Sequence, residues 1–498
     1  MRSVPATVAA ILWLAIGAGA SDAVGAANGS AWPSSDPVVK DPAKLDSHRP
    51  LAAEERTTIG NGFRLALAGD LIVTRPLTKA PHPPGFDALL TVLRDSDAAF
   101  GNLETSLIDI RHFQGAPYPF DGDWANIGEP AVAPDLKAMG FDLVSRANNH
   151  VEDWGLSGMR ETDARLDRAG IVHAGTGDTA ALACAPQYFE SDKGRVALIS
   201  FATTFRPTSE AMPPHGEAPG RPGLCAVHLT RHLHVTAAAM RDLAAADCVM
   251  YQRDCAGVPA TIRFDGANYV RDTRSYNDYV PDREDLAFLA RAIREARQHA
   301  DFVLVAVHAH QCDWDCDDET SPQLAAAVLK VLAHGAIDSG ADVFAATGIH
   351  NLGPIEIYRG RPIFYGLANF IWSDIQEPVP HELFQMYRPL LDGTYEHPER
   401  ATDYDLTAPL NDESFAHDFT FASVLVQLRY TAGRLTDVRL YPVLLGYGET
   451  LRTSGTPRLA ADPARAAAIF NAIRQRTSAY GLPPLSLRIE GAVGILSP

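Results

Sequence analysis

Five apolar, β-rich runs each end in a short polar motif, and this repeated punctuation constrains the fold more than any other feature of the chain. The motifs are Gly69-Asp70, Gly101-Asn102-Leu103-Glu104, Asn148-Asn149-His150, His308-Ala309-His310 and Gly348-Ile349-His350. Strands that stop at such residues are the mark of an α/β protein, which collects its chemistry where the strands end. Carboxylate, amide oxygen and imidazole are also what a first-row divalent metal takes as ligands. Each motif alone has a plainer reading: Gly-Asp as a turn or N-cap, Glu104 as a helix-start acid, a histidine as a core group satisfying a carbonyl. Together the five read as the site of a metal-dependent hydrolase.

The rest of the pattern agrees with an α/β fold. Residues 63–68, 98–101, 142–147, 171–174, 196–201, 302–307 and 342–345 read as strands. Residues 86–94, 131–139, 156–169, 285–298, 322–332 and 463–476 have helical spacing, with Gly140 and Gly170 as stops. Arg359-Gly360-Arg361 reads as a hairpin turn, and 423–430 pairs with 435–441 about Ala432-Gly433. The expected division is an export signal over 1–26, a Pro/Ser/Asp-rich linker over 27–60, a catalytic body over 61–375, and a C-terminal extension over 376–498 packed on that body.

Arg2 followed by an apolar run over 8–18 and small-residue sites at 18–20 and 24–26 has the form of a cleaved signal peptide; the run is short for a membrane anchor. The six cysteines then suit an oxidising compartment. Cys248 with Cys255 and Cys312 with Cys316 are the sequence-local pairs, which leaves Cys184 with Cys225; the rival for Cys312 and Cys316 is a metal pair. The net charge of -18 argues against nucleic acid as a partner, while bound dications would still admit an anionic substrate. Asp313, Asp315, Asp317, Asp318 and Glu319 form an acidic loop around Trp314, read first as solvated.

Within the motifs, Gly69 lets the backbone turn so that Asp70 can face a ligand. Glu104 has the character of a carboxylate bridging two metals. Asn149 offers a neutral oxygen, and His150 can act as a general acid with Asp153 orienting its ring. His308 and His310, two apart in an extended segment, face the same side. His350 follows its apolar run in the same way.

These residues resemble the CapA, or poly-γ-glutamate capsule biosynthesis (PGA_cap), family of the calcineurin-like metallophosphatase superfamily. The resemblance rests on Leu65-Ala-Leu-Ala-Gly-Asp70, Gly101-Asn-Leu-Glu-Thr105, Ala147-Asn-Asn-His-Val-Glu-Asp-Trp-Gly155, residues 169–177, and the string from Ile355 to Phe370. It implies a four-layer αββα sandwich of two mixed sheets with a small C-terminal hairpin and helix extension. It implies Asp70, Glu104, Asn149, His308 and His350 as ligands of two divalent ions (Mn, Fe or Zn), with Glu104 bridging. His150 and Asp153 would be catalytic. His310, Asn102 and Asn148 would be additional ligands or substrate contacts. The implied chemistry is two-metal hydrolysis with in-line attack by water. The implied substrate is a small or polymeric anionic envelope compound, and the implied partner is membrane-associated capsule machinery. The alternative is a non-catalytic envelope protein that supports polymer synthesis and export. The chain departs from the family in Ala346-Thr347-Gly348-Ile349-His350, where only one histidine stands, and in Ala368-Asn369-Phe370, where the family often has Gly-Asn-Phe.

Overall fold

Arg64–Ile72, buried at every residue but its first, is the strand about which the larger sheet is organised. The computed structural model describes residues 58–118, 125–252, 257–311, 327–373, 421–446, 449 and 453–498. On one edge this strand pairs in parallel with Ala98–Leu103, followed by Leu143–Ser145 and Val172–Ala174. On the other edge Leu65 to Leu67 pair antiparallel with Ala422–Thr431, and beyond Gly69 the partner becomes Asn369–Trp372. The strand can change partner only because residue 69 is glycine. A Cβ there would lie 1.7 Å from the Ala368 carbonyl oxygen, which accepts the Asp70 N–H at 2.9 Å.

A second, six-stranded sheet runs Ile355–Tyr358, Arg361–Phe364, Val343–Gly348, Phe302–Ala309, Gly194–Ala202, Gln187–Ser191, with its four inner strands parallel. Alternate residues of the two sheets explain the core. Leu65, Leu67, Phe100 and Leu143 join Leu198, Phe302, Leu304 and Ala345 in one buried cluster. The opposite face of the first sheet, including Ala66 and Val144, packs on Phe86–Arg94 and Val132–Met139 through Phe86, Leu90, Leu93 and Leu136. That of the second, including Val303, Val305 and Phe344, packs on Arg283–His299 and Ala327–Asp338 through Leu289, Ile293, Leu329 and Leu332. Truncating one such residue, as in Phe100→Ala, costs roughly 3–5 kcal/mol.

The observed strands run further than the apolar runs do. Phe302–Ala309 and Ala98–Leu103 carry their polar residues inside the ladder, as Arg64–Ile72 carries Asp70. The hairpin expected near the C-terminus forms between Ala422–Thr431 and Arg434–Leu444, turning at Ala432 and Gly433 with φ of 50° and 72°. It lies in the larger sheet, next to Arg64–Ile72, and the helix Pro463–Ala479 adds Ile469, Phe470 and Ile473 to the shared core. A further four-stranded sheet, order Thr261–Phe264, Ala267–Asp272, Leu229–Thr236, Tyr276–Pro281, is built of strands with no continuous apolar run; they are half exposed.

Cys184 and Cys225 form a disulfide with Cα atoms 4.9 Å apart. The expected Cys248–Cys255 and Cys312–Cys316 pairs, the acidic loop, and the signal and linker segments lie wholly or partly outside the described residues. Among the described residues no helix is long and apolar enough to cross a membrane.

Candidate metal centre

The parallel strands of both sheets end at one place, where they bury an unusual concentration of polar side chains: Asp70, Asn102, Glu104, Asn148 and His308 are all fully inaccessible to solvent. Such groups are tolerated in a core only when paired or coordinating. Asn102 is the hub, its Nδ2 lying 2.8 Å from Asp70 Oδ1, 3.4 Å from Glu104 Oε2 and 3.1 Å from His308 Nδ1. Asn148 Nδ2 in turn donates to Asn102 Oδ1 at 3.2 Å and to the Leu103 carbonyl at 2.9 Å, while its Oδ1 accepts the His150 N–H. Asn102 and Asn148 thus brace the charged groups.

Two donor groups overlap here. Asp70, Glu104 and His308 each bring a ligand atom within 4.8 Å of the others, and so do Glu104, His310 and His350. Glu104 belongs to both. His308 and His310 converge as the period of two expects, with Nε2 atoms 2.9 Å apart; His308 Nε2 is also 2.9 Å from Asn149 Oδ1 and 3.5 Å from Glu104 Oε1. A metal with bonds of about 2.0–2.2 Å sets neighbouring ligand atoms roughly 3–3.5 Å apart. The mixed carboxylate, amide-oxygen and imidazole set therefore fits a first-row divalent ion, and the shared Glu104 fits a second beside it.

His350 reaches this cluster at a conformational cost. Its φ is 51°, left-handed for a residue with a side chain. Asn369 holds it from both sides: Oδ1 lies 2.8 Å from His350 Nδ1, and Nδ2 donates to the His350 carbonyl at 3.4 Å. The Trp372 ring packs edge-on at 4.7 Å.

The electrostatics follow from burial and pairing. Burial opposes charge on Asp70, but the hydrogen bond and charge of His350, with help from His308 and Asn102, outweigh it and lower the carboxyl to about 2. Burial likewise opposes charge on His350, but Glu104, Asp70 and Asn369 raise it to about 9. For His308 burial wins, joined by His310, and the ring is pushed well below its ordinary value. A neutral imidazole is the ligand form.

His150 also approaches Glu104, its Nε2 3.8 Å from Glu104 Oε1 and its Nδ1 2.9 Å from Asp153 Oδ2. Asp153 accepts the Asn126 N–H at 2.6 Å on the same oxygen and Arg206 Nη1 at 2.7 Å on the other. Asn126 Nδ2 donates to the Glu104 carbonyl at 3.0 Å, joining the two halves of the site. Thr204 Oγ1 accepts the His310 N–H at 2.8 Å. The sequence-derived residues thus all gather here. Asn126, Thr204, Arg206 and Asn369 were not among them. Arg206 lies four residues past the strand end at Ala202, too far for the strand-end rule, and what marks it is its contact with Asp153.

An α/β protein with a carboxylate shared between two histidine-bearing donor groups is the class that fold and site define. The bacterial capsule synthesis protein PGA_cap family model matches residues 64–374, and the chain belongs to that family. It is 35% identical over 472 residues to the uncharacterized protein y4sH of Sinorhizobium fredii, covering 91% of this chain and 97% of that one. It is 24% identical over 312 residues to the PGA biosynthesis protein CapA of Bacillus subtilis, covering 62% and 63%. A hypothetical protein from Thermus thermophilus, of known crystal structure, aligns over 76% of this chain and 98% of its own at 14% identity, with a TM-score of 0.31. The family is named for bacterial capsule synthesis, and the Bacillus subtilis relative for PGA biosynthesis.

Proposed function

We propose that this chain is an exported metal-dependent hydrolase of phosphoester bonds, acting on a capsule or cell-envelope compound and built as a four-layer αββα body. The observation that carries the reading is Glu104, common to two donor groups completed by Asp70 and His308 and by His310 and His350. The layered body is supported by the apolar cluster that the two sheets share and the helices on their other faces. Export is supported by the Cys184–Cys225 disulfide.

In this reading Asp70, Glu104, Asn149, His308, His310 and His350 hold two divalent ions, Mn, Fe or Zn. Bound there, the ions supply a Lewis acid for the phosphoryl oxygens and a nucleophile at neutral pH. The protein's own groups do the rest. Asp153 accepts the His150 Nδ1–H at 2.9 Å and so turns Nε2 toward Glu104. From there His150 gives its Nε2 proton to the departing oxygen. Asn102 and Asn148 keep the carboxylates and the His150 backbone in register.

The test is turnover of a panel of phosphomonoesters and phosphodiesters with Mn²⁺, with chelator, and with Asp70→Ala and His150→Ala. Metal-dependent turnover lost in both variants is expected. A folded, metal-loaded protein inactive on the whole panel overturns the phosphoesterase reading. It favours the second reading, a non-catalytic envelope component supporting polymer synthesis. One observation favours that reading: Thr347, in the stretch with a single histidine, turns its hydroxyl to His308 Nδ1 at 3.1 Å and adds no strong ligand.

A further inference from the structure

We infer that Arg206 is a positioning residue for the general acid, acting through Asp153 on the His150 ring. Arg206 leaves the second sheet just after Gly194–Ala202, on a segment fastened to the histidine-bearing strand. The Thr203 N–H donates to the His308 carbonyl at 3.0 Å, and Thr204 Oγ1 accepts the His310 N–H. The same segment returns at Cys225, whose carbonyl accepts the Ala202 N–H at 2.9 Å and whose sulfur is bonded to Cys184. Arg206 therefore crosses from one sheet's histidines to the other sheet's His150 loop on a tethered backbone.

Its side chain is 9% exposed, against 1% for Asp153. Arg206 Nη1 donates to Asp153 Oδ1 at 2.7 Å and to the Asn149 carbonyl at 3.5 Å, and its guanidinium lies 4.9 Å over the Tyr118 ring. A buried ion pair is a costly way to add stability. Asp153 already has two partners on Oδ2, the Asn126 N–H and His150 Nδ1. The extra contact on Oδ1 fixes the rotation of the carboxylate, so that Oδ2 always faces His150. Without Arg206 the carboxylate is free to turn, and His150 loses the anchor that sets its tautomer and aim.

The inference deepens the hydrolase reading and rests on it for its kinetic test alone. The variants are Arg206→Ala and Arg206→Lys in the full chain. A misaimed general acid hurts esters with poor leaving groups and spares those with good ones. Arg206→Ala is expected to lower kcat on phenyl phosphate on the order of 10²-fold with KM little changed. On 2,4-dinitrophenyl phosphate the fall is expected to stay within about threefold, and Arg206→Lys to recover part of the loss. Equal losses on both esters, or none, overturn the inference. Wild-type inactivity on both, and on the rest of the mono- and diester panel, overturns the hydrolase reading instead. The second measurement needs no turnover: ¹⁵N spectra of histidine-labelled, metal-free protein, with His150→Gln identifying the His150 signals. One Nδ1–H tautomer in wild type and a mixture in Arg206→Ala is expected; an unchanged His150 signal overturns the inference in an active or inactive protein alike.

Discussion

On one flank of Glu104 the donors come from buried strands: Asp70, His308 and, just past its strand, His350. On the other flank His150, Asp153, Asn126 and Arg206 come from turns and connecting segments. The strand-borne flank is rigid because ladder hydrogen bonds set each Cα, and it offers electron pairs. The loop-borne flank is held by side chains bonding to one another and to backbone, and it is the flank to which the proposed mechanism assigns the proton. The difference teaches that the candidate ligand positions are fixed by the sheets, whereas the aim of the His150 ring depends on a chain of side-chain contacts in which each member depends on the next.

Substitution on the strand-borne flank should have the largest effect. Glu104→Gln removes the shared ligand and is expected to lower turnover by on the order of 10³-fold or more, beyond the roughly 10–100-fold that loss of a supporting residue costs. Metal content of the purified variant, measured with activity, checks it. Full metal content with full activity would break the comparison. Next comes the backbone beneath that flank. Gly69→Ala drives a Cβ into the Ala368 carbonyl and is expected to cost roughly 3 kcal/mol or more of stability. Denaturant unfolding checks it, and a cost under about 1 kcal/mol would show that the strand can yield.

Asn369→Ala should weaken metal binding by roughly 10–100-fold while leaving the fold intact, since Asn369 orients His350 without belonging to either donor group. Metal titration followed by calorimetry reads this. The same titration in buffers of different ionisation enthalpy tests the charge on His350. Its pKa of about 9 in the metal-free protein leaves it protonated at neutral pH, and a metal needs the neutral ring, so uptake releases its proton. Release should fade as pH rises through about 9; release independent of pH would sink the assignment. The smallest effect concerns Ala368, whose φ is 57°. Ala368→Gly removes that strain and is expected to add about 0.5–1 kcal/mol of stability, read by the same unfolding curves.

Much of the strand-borne flank was legible in the sequence because a buried parallel strand is a continuous apolar run, and any polar residue at its end stands out. Asp70, Glu104, His308 and His350 were found that way. Helix positions were legible for a related reason: residues 86–94 showed apolar spacing and Phe86–Arg94 is the helix observed. The half-exposed sheet over residues 229–281 was not legible, since none of its strands is a continuous buried apolar run. Arg206 and Asn126 gave no pattern of their own. Each lies in an irregular segment, and what marks it is a partner 53 or 27 residues away in the chain.

The sequence by itself determined which polar residues stand together at the strand ends, because donor type and strand-end position are local properties. It also determined the α/β class, because the alternation of apolar runs and helical spacing is local as well. Only the tertiary structure decided that Asn102 braces Asp70, Glu104 and His308, and that Arg206 closes on Asp153. It also decided that Ala422–Thr431 and Asn369–Trp372 divide one edge of Arg64–Ile72 between them at Gly69. These are contacts between segments up to several hundred residues apart, selected by how two sheets share a core and by which buried polar group can find a partner there.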